Sequence, residues 1–275
     1  MRLQYRLRTV FILTLGIAVL MSLAGMWFRS SRRQQSLLRP VLSKGASVYY
    51  EEWRFGGMME SWAATVVGWN AVAKVSAIDL RDKAVSGTEL KPLEYLSGSI
   101  DLHLERSGVG DADLASLKNA RNIKRLFLDG CPISDTGIKE LLGWDQLQLL
   151  SIDDTNCTDE GIRSIARLPQ LYLLSLSGTN IGGDCFAAFG QHKTLRCVRM
   201  NRCPVTPAGI RELSRLPQLV SVDLDGTPIT DEYLISLGTS ESLRFINVRS
   251  TSITKEAFDS LRQSRPRITV ISSLD

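Results

Sequence analysis

The sequence predicts an α/β solenoid preceded by a transmembrane helix, with short parallel strands lining one side and short helices the other. Three observations predict it. An apolar residue recurs every 24 positions from Ile78 to Val270 without one insertion. A serine or threonine suited to opening a helix follows at a fixed offset in most of these units. Ahead of them, Val10 to Phe28 is a run of 19 residues without a charge, flanked by arginines.

The leading apolar column reads Ile78, Leu102, Leu126, Leu150, Leu174, Val198, Val222, Ile246 and Val270. Two places later stand Leu80, Leu104, Leu128, Ile152, Leu176, Met200, Leu224 and Val248. Apolar residues at spacing two make a short strand with one buried face. Three places before the leading column stand Val75, Ile123, Leu147, Leu171, Leu195, Leu219 and Leu243, with Ser99 and Arg267 breaking the series. Glycine-bearing turns follow the strands, as in Asp129-Gly130, Ser177-Gly178 and Asp225-Gly226. Pairs at helical spacing come next: Ile138 with Leu141, Ile162 with Ile165, Ile210 with Leu213, Leu234 with Leu237, Phe258 with Leu261. Ser86, Ser134, Thr158, Thr206, Thr230 and Thr254 are placed to cap these helices. Acids such as Asp135, Asp159 and Asp231 fall in the first turn, where the helix dipole favours them. The unit that starts at Leu174 has Gly182-Gly183 where others have a cap, and is expected to be looser. No unit can bury its apolar face alone, so neighbours must stack into one core.

The string LxLxx[TC]xI[ST] that these columns spell resembles the leucine-rich-repeat superfamily. Its Thr/Cys column reads Ser107, Cys131, Thr155, Thr179, Cys203, Thr227 and Thr251, and Gly226-Thr-Pro-Ile-Thr-Asp231 is similar to the units of bacterial membrane-anchored repeat proteins. The resemblance covers about residues 75–271. It implies a leucine-rich-repeat solenoid with its parallel sheet on the concave face, acting as a binding scaffold. It implies no particular ligand, because one fold hosts many functions.

The flanking segments complete the domain plan. Residues 1–9 are expected as a cytoplasmic tail and 10–28 as a single-pass signal anchor. As a helix that run spans roughly 28 Å, about a bilayer core. Ser22-Leu23-Ala24 leaves a cleaved signal peptide as the other reading. Residues 29–44 are expected as a juxtamembrane helix or stalk, disturbed at Pro40 and stopped at Gly45, and 45–74 as an N-terminal cap. That cap comprises an edge strand in Ser47–Glu52 and an amphipathic helix at Met58–Val72 carrying Trp62 and Trp69. Residues 75–275 form the repeat domain, about eight units long. Arg2, Arg6 and Arg8 favour a tail held in the cytoplasm and a repeat domain outside it.

Charge narrows the partner. Residues 1–44 hold eight bases and no acid, whereas 45–275 hold 25 bases and 29 acids. The repeat domain is therefore mildly acidic, which argues against nucleic acid. The five cysteines form no CxxC pair, and four have ready structural places in the repeat. His103 and His192 lie nearly four units apart, too far for a shared metal or dyad. No phosphate loop, dinucleotide loop or HExxH string is present, so neither a cofactor nor an enzyme activity is expected.

What remains is the concave face. Alternation places there the columns Asp101, Arg125, Leu149, Leu173, Cys197, Ser221, Phe245 and Asp79, His103, Phe127, Ser151, Ser175, Arg199, Asp223, Asn247. A third reads Arg81, Glu105, Asp129, Asp153, Ser177, Asn201, Asp225, Arg249. Phe127, Leu149 and Leu173 are apolar without being needed for the core. Glu105, Asp129 and Asp153 stack beside them as an acid ridge, about 5 Å from strand to strand. Together these six residues suggest a surface for a protein or peptide. A solvated face with no ligand, on a protein that is purely structural in the cell envelope, is the alternative.

Overall fold

The structure, a computed structural model, describes residues 32–51 and 74–273, together with 15, 21, 22, 29 and 30. The expected tail at 1–9, nearly all of the apolar run at 10–28 and the expected cap helix at 58–72 lie outside the described residues. Among the described residues, no helix is long and apolar enough to cross a membrane.

Ten strands form one sheet in chain order among these residues. They are β1 (Ser47–Tyr50), β2 (Val75–Asp79), β3 (Ile100–His103), β4 (Ile123–Phe127), β5 (Leu149–Ser151), β6 (Leu173–Ser175), β7 (Cys197–Arg199), β8 (Ser221–Asp223), β9 (Phe245–Asn247) and β10 (Thr269–Ile271). From β2 onward every pairing is parallel, and the register sets Asp101 opposite Arg125, then Leu149, Leu173, Cys197, Ser221, Phe245 and Thr269. β1 runs antiparallel to β2 and covers the first parallel edge. The leading column lies in the core from Ile78 to Ile246, each residue at most 1% exposed. Helical segments line the other side of that core, from Gly87–Leu90 to Lys255–Ser264. Strands sit about 5 Å apart and helices pack at roughly 8–10 Å, so the sheet side is the shorter, inner, concave one.

The Thr/Cys column closes each turn in one of two ways. Thr155, Thr179, Thr227 and Thr251 donate their hydroxyls to the carbonyl three residues back in their own unit. Cys131 and Cys203 instead donate to the preceding unit, to the carbonyls of Leu104 and Leu176, at 3.0 and 3.1 Å. Just before this column, Asp82, Arg106, Asp154, Arg202 and Ser250 all hold a left-handed backbone, as do Gly130, Gly178 and Gly226 between them. Arg202 reaches across Gly178 to Asp154 at 3.3 Å, and any side chain at Gly178 would collide with that carboxylate.

One expectation about the repeats is revised. The unit with Gly182-Gly183 is as closely packed as its neighbours rather than looser. It replaces an α-helix by a 3-10 segment, Asp184–Phe189, whose Cys185, Phe186 and Phe189 are all fully buried. Gly183 (φ +97°) lies so close to Gly209 that a Cβ there would stand 3.0 Å from the Gly209 Cα, leaving only backbone to give. Ser99 and Arg267 do not leave gaps in the core. The next residues, Ile100 and Ile268, are 1% and 4% exposed and take their places. At β3 this shift appears as a bulge, with Ile100 opposite Ile123 but Asp101 opposite Arg125.

The segment expected as a stalk is joined to the solenoid at its C-terminal end. Residues 32–43 are helical through Pro40, and Leu38 and Val41 are buried in the same apolar core as the first repeats. Lys44 adds an ion pair to Glu89, which in turn caps the next helix through Ser86.

Candidate functional site

Parallel register brings the six expected site residues together on the inner face of β3 to β6 and the turns that follow. Phe127 ends β4, Leu149 and Leu173 open β5 and β6, and Glu105, Asp129 and Asp153 lie two residues beyond β3, β4 and β5. Phe127 and Leu173 are half-buried, and Leu149 is 9% exposed without joining the main core. The apolar patch is therefore a shallow floor, and Ser151 and Ser175 lie buried beside it.

Phe127 has a partner that the columns already implied. His103 stands opposite it in the register, and the two rings stack with centroids 4.3 Å apart and planes 4° from parallel. His103 Nδ1 lies 3.1 Å from Glu105 Oε1, while the other oxygen, Oε2, is enclosed with no hydrogen-bond partner among the described residues. Upstream, Asp79 binds Arg81 and Asp101 binds Arg125 at 2.7 Å, so these arginines are neutralised within the face.

The acid ridge is less open than its column suggests. Asp129 Oδ1 accepts the Ser151 hydroxyl at 2.5 Å and the Asp153 amide at 2.9 Å. Asp153 Oδ1 accepts the Ser177 amide at 2.8 Å, and Asn201 Oδ1 accepts the Asp225 amide at 3.0 Å. Each of these side chains thus ties down the backbone just past the next strand, a task an amide oxygen performs as well as a carboxylate. The second oxygen of Asp129 makes no hydrogen bond among the described residues. Burial pushes the Asp129 carboxyl up from its ordinary range, and the Glu105 and Asp154 charges add to the rise against the bonds from Ser151 and Asp153. Burial likewise raises Asp153, with Asp129 adding to it. Among the described residues, no lysine or arginine forms an ion pair with Glu105, Asp129 or Asp153.

A second acid column lies on the helical side, and its role was hidden in the sequence. The carboxylate of Asp111 accepts both the amide and the hydroxyl of Ser134, the cap of the next unit. Asp135 does the same for Thr158, and Asp231 for Thr254. Asp159 takes three amides, those of Gly182, Gly183 and Cys185. Proximity to a cap one period on was the available signal, but the dipole argument absorbed these acids first.

His192 is buried, with Nε2 2.9 Å from the Leu168 carbonyl and Nδ1 accepting the Leu195 amide; burial lowers its pKa. All five cysteines are free, and burial pushes the Cys157 thiol up to about 12, which makes it a poor nucleophile. Among the described residues, no three His, Cys, Asp or Glu side chains are grouped to hold a metal. The face also carries exposed apolar residues outside the expected patch, Phe245 and Ile271, which are 50% and 37% exposed at its far end.

No protein-family model matches the sequence, and no curated protein matches it. Solved structures match its fold. Internalin C2 of Listeria monocytogenes superposes with a TM-score of 0.56 at 20% identity, covering 77% of this chain and 90% of that one. A second internalin of that organism, inlF, gives 0.47 at 17% identity over 78% and 74% of the two chains. At such identity the likeness to internalin C2 concerns architecture alone, and it makes this chain's fold the α/β one of leucine-rich repeats.

Proposed function

We propose that this chain is a non-enzymatic, membrane-anchored binding scaffold that docks a protein or peptide on the concave face of its sheet. The observation that carries the reading is the inner face of β3 to β6. There an apolar floor of Phe127, Leu149 and Leu173 adjoins Glu105, Asp129 and Asp153, three acids without a lysine or arginine partner among the described residues. A core-building column needs no such unmatched charge, and a buried carboxylate without a cation is costly unless a partner supplies one. The partner that fits is a protein segment carrying a basic residue beside an apolar one. The mildly acidic repeat domain disfavours nucleic acid. The anchor reading rests on the uncharged run at 10–28, and its flanking arginines favour a repeat domain outside the cytoplasm. A cytoplasm-only reporter fused after Asp275 should therefore stay silent; activity there would overturn that orientation.

Capture by the full chain in mild detergent tests the docking surface. The test needs substitutions that spare the fold. Reversing Asp129 or Asp153 would strip backbone acceptors, whereas Asn at either position keeps them, as Asn201 does naturally. Asp129→Asn with Asp153→Asn, or Phe127→Asp alone, should abolish capture of a partner that wild type retains. Undiminished capture by both variants would refute the assigned surface.

A further inference from the structure

The two ends of the sheet are finished differently. At the first end β1 lies antiparallel on β2, and Leu38 and Val41 pack into the core of the first repeats. At the other end β10 pairs with β9, and among the described residues nothing pairs with its outer edge. Thr269 donates its amide to the Arg244 carbonyl, and the Ile271 carbonyl accepts the Val248 amide, so both residues turn their backbone groups toward β9. In a parallel ladder the residue between them points the other way, which leaves the N–H and C=O of Val270 facing outward. Such an edge is a template for a further strand. Apolar surface surrounds it. Val270 ends the leading core column half-buried. With Phe258, Pro266 and Ile268 it lines a hollow of about 270 Å³ on this end of the solenoid, to which Arg262 and Thr269 also contribute. On the concave side of the same end stand the exposed Phe245 and Ile271. In the last helix, Lys255–Ser264, Asp259 precedes Arg262 by three positions and so shares its side of the helix. Neither forms an ion pair among the described residues.

We propose that this end of the solenoid joins two copies of the chain about a two-fold axis, with β10 of one copy pairing antiparallel with β10 of the other. Val270 then lies on the axis and exchanges both of its outward hydrogen bonds with the Val270 of the second copy. Thr269 of each copy faces Ile271 of the other on the concave side, and the two Phe245 rings flank them. The joint closes the hollow beside Val270 in both copies at once, removing apolar surface from water. Charge suits the same symmetry. A two-fold turns the last helices antiparallel to each other, so that Asp259 of each copy can meet Arg262 of the other, whereas an end face of one sign would repel its own image. Head-to-tail stacking has no equivalent, because β1 already occupies the edge of β2. The proposal is independent of the docking surface on β3 to β6 and of the anchor reading of residues 10–28.

Native mass spectrometry of the detergent-solubilised full chain over a dilution series tests this. Wild type should be a dimer that dissociates on dilution. Ile271→Lys sets a charge into the joint at a position exposed in the single chain, and lysine on an edge discourages pairing. Its dissociation constant should rise at least about tenfold, with an unchanged far-ultraviolet circular dichroism spectrum. The strand register is tested by Thr269→Cys combined with Ile271→Cys. Across the axis these positions form a non-hydrogen-bonded antiparallel pair, with Cα atoms about 4.5 Å apart, within disulfide reach. Mild oxidation should therefore link the double variant into a covalent dimer that reduction releases, and should leave Thr269→Cys alone unlinked. A monomer at every concentration would overturn the proposal. So would a dimer that Ile271→Lys leaves intact, as one held by residues 10–28 or by the surface on β3 to β6 would be, or oxidation that links the double variant no better than Thr269→Cys alone.

Discussion

Two columns of acids run along this solenoid, one on each side, and they are used differently. On the helical side both oxygens of Asp111, Asp135 and Asp231 are taken by the cap of the next unit, and Asp159 takes three amides. These carboxylates are part of how one repeat grips the next. On the sheet side Asp129 holds its neighbours with one oxygen only, and Glu105 has an enclosed oxygen with no partner. The difference teaches that charge in a repeat protein marks a ligand surface only where it exceeds what the backbone consumes. An acid whose two oxygens both meet a donor from the next unit is architecture, however prominent its column looks.

Substitutions can break this contrast, starting with the largest effect. Asp159→Ala should destabilise the chain by at least about 3 kcal/mol, since it strips acceptors from three amides in a tightly packed unit; chemical denaturation of the full chain measures it. Phe127→Asp removes the stacked partner of His103 and should lower the unfolding free energy by about 1–2 kcal/mol while weakening a docked partner by at least about 2 kcal/mol, read by titration of the captured protein. A gain should follow from repairing a missing link. Pro207 stands where other units place the clamping acid, and Thr230 has no side-chain cap bond. Pro207→Asp should add about 0.5–1 kcal/mol by gripping Thr230, and an unchanged midpoint would show that the clamp contributes little.

The pH dependence sharpens the contrast further. Burial raises the folded-state pKa of Asp129 above its ordinary 3.8, so the ionised form is disfavoured in the folded chain. Its cost to stability is present above the folded pKa and vanishes as pH falls below 3.8, the reverse of a salt-bridged carboxylate. Asp129→Asn should therefore stabilise the chain at neutral pH, and that gain should disappear in acid, as unfolding at a series of pH values would show.

Much of this was legible because the repeat never slips. A fixed 24-residue period determines which residues share a column, so the register from Asp101 to Thr269 and the pairing of His103 with Phe127 follow from counting. What counting misses is direction and fine geometry. The Asp135 carboxylate lies near its own helix dipole and near the cap of the next unit, and only the chain's path shows that it serves the second. Ile100 and Ile268 replace Ser99 and Arg267 because a one-residue shift costs less than a hole in the core, a choice made by packing and invisible to a rigid template. Gly182-Gly183 looked like a lost cap because the close approach to Gly209 involves another unit. The docking of 32–43 depends on Leu38 and Val41, a signal too short to stand out beside a long apolar run.

The most direct test makes the same isosteric change in both columns and measures unfolding free energy at neutral pH alongside partner capture. Asp159→Asn sets an NH2 against the Gly182 amide or against those of Gly183 and Cys185, and should cost about 1–3 kcal/mol. Asp129→Asn keeps every bond its one engaged oxygen accepts, so it should cost nothing in stability and lose capture when combined with Asp153→Asn. Equal destabilisation by the two single substitutions, with capture intact in the sheet-side pair, would contradict the division of labour between the two faces.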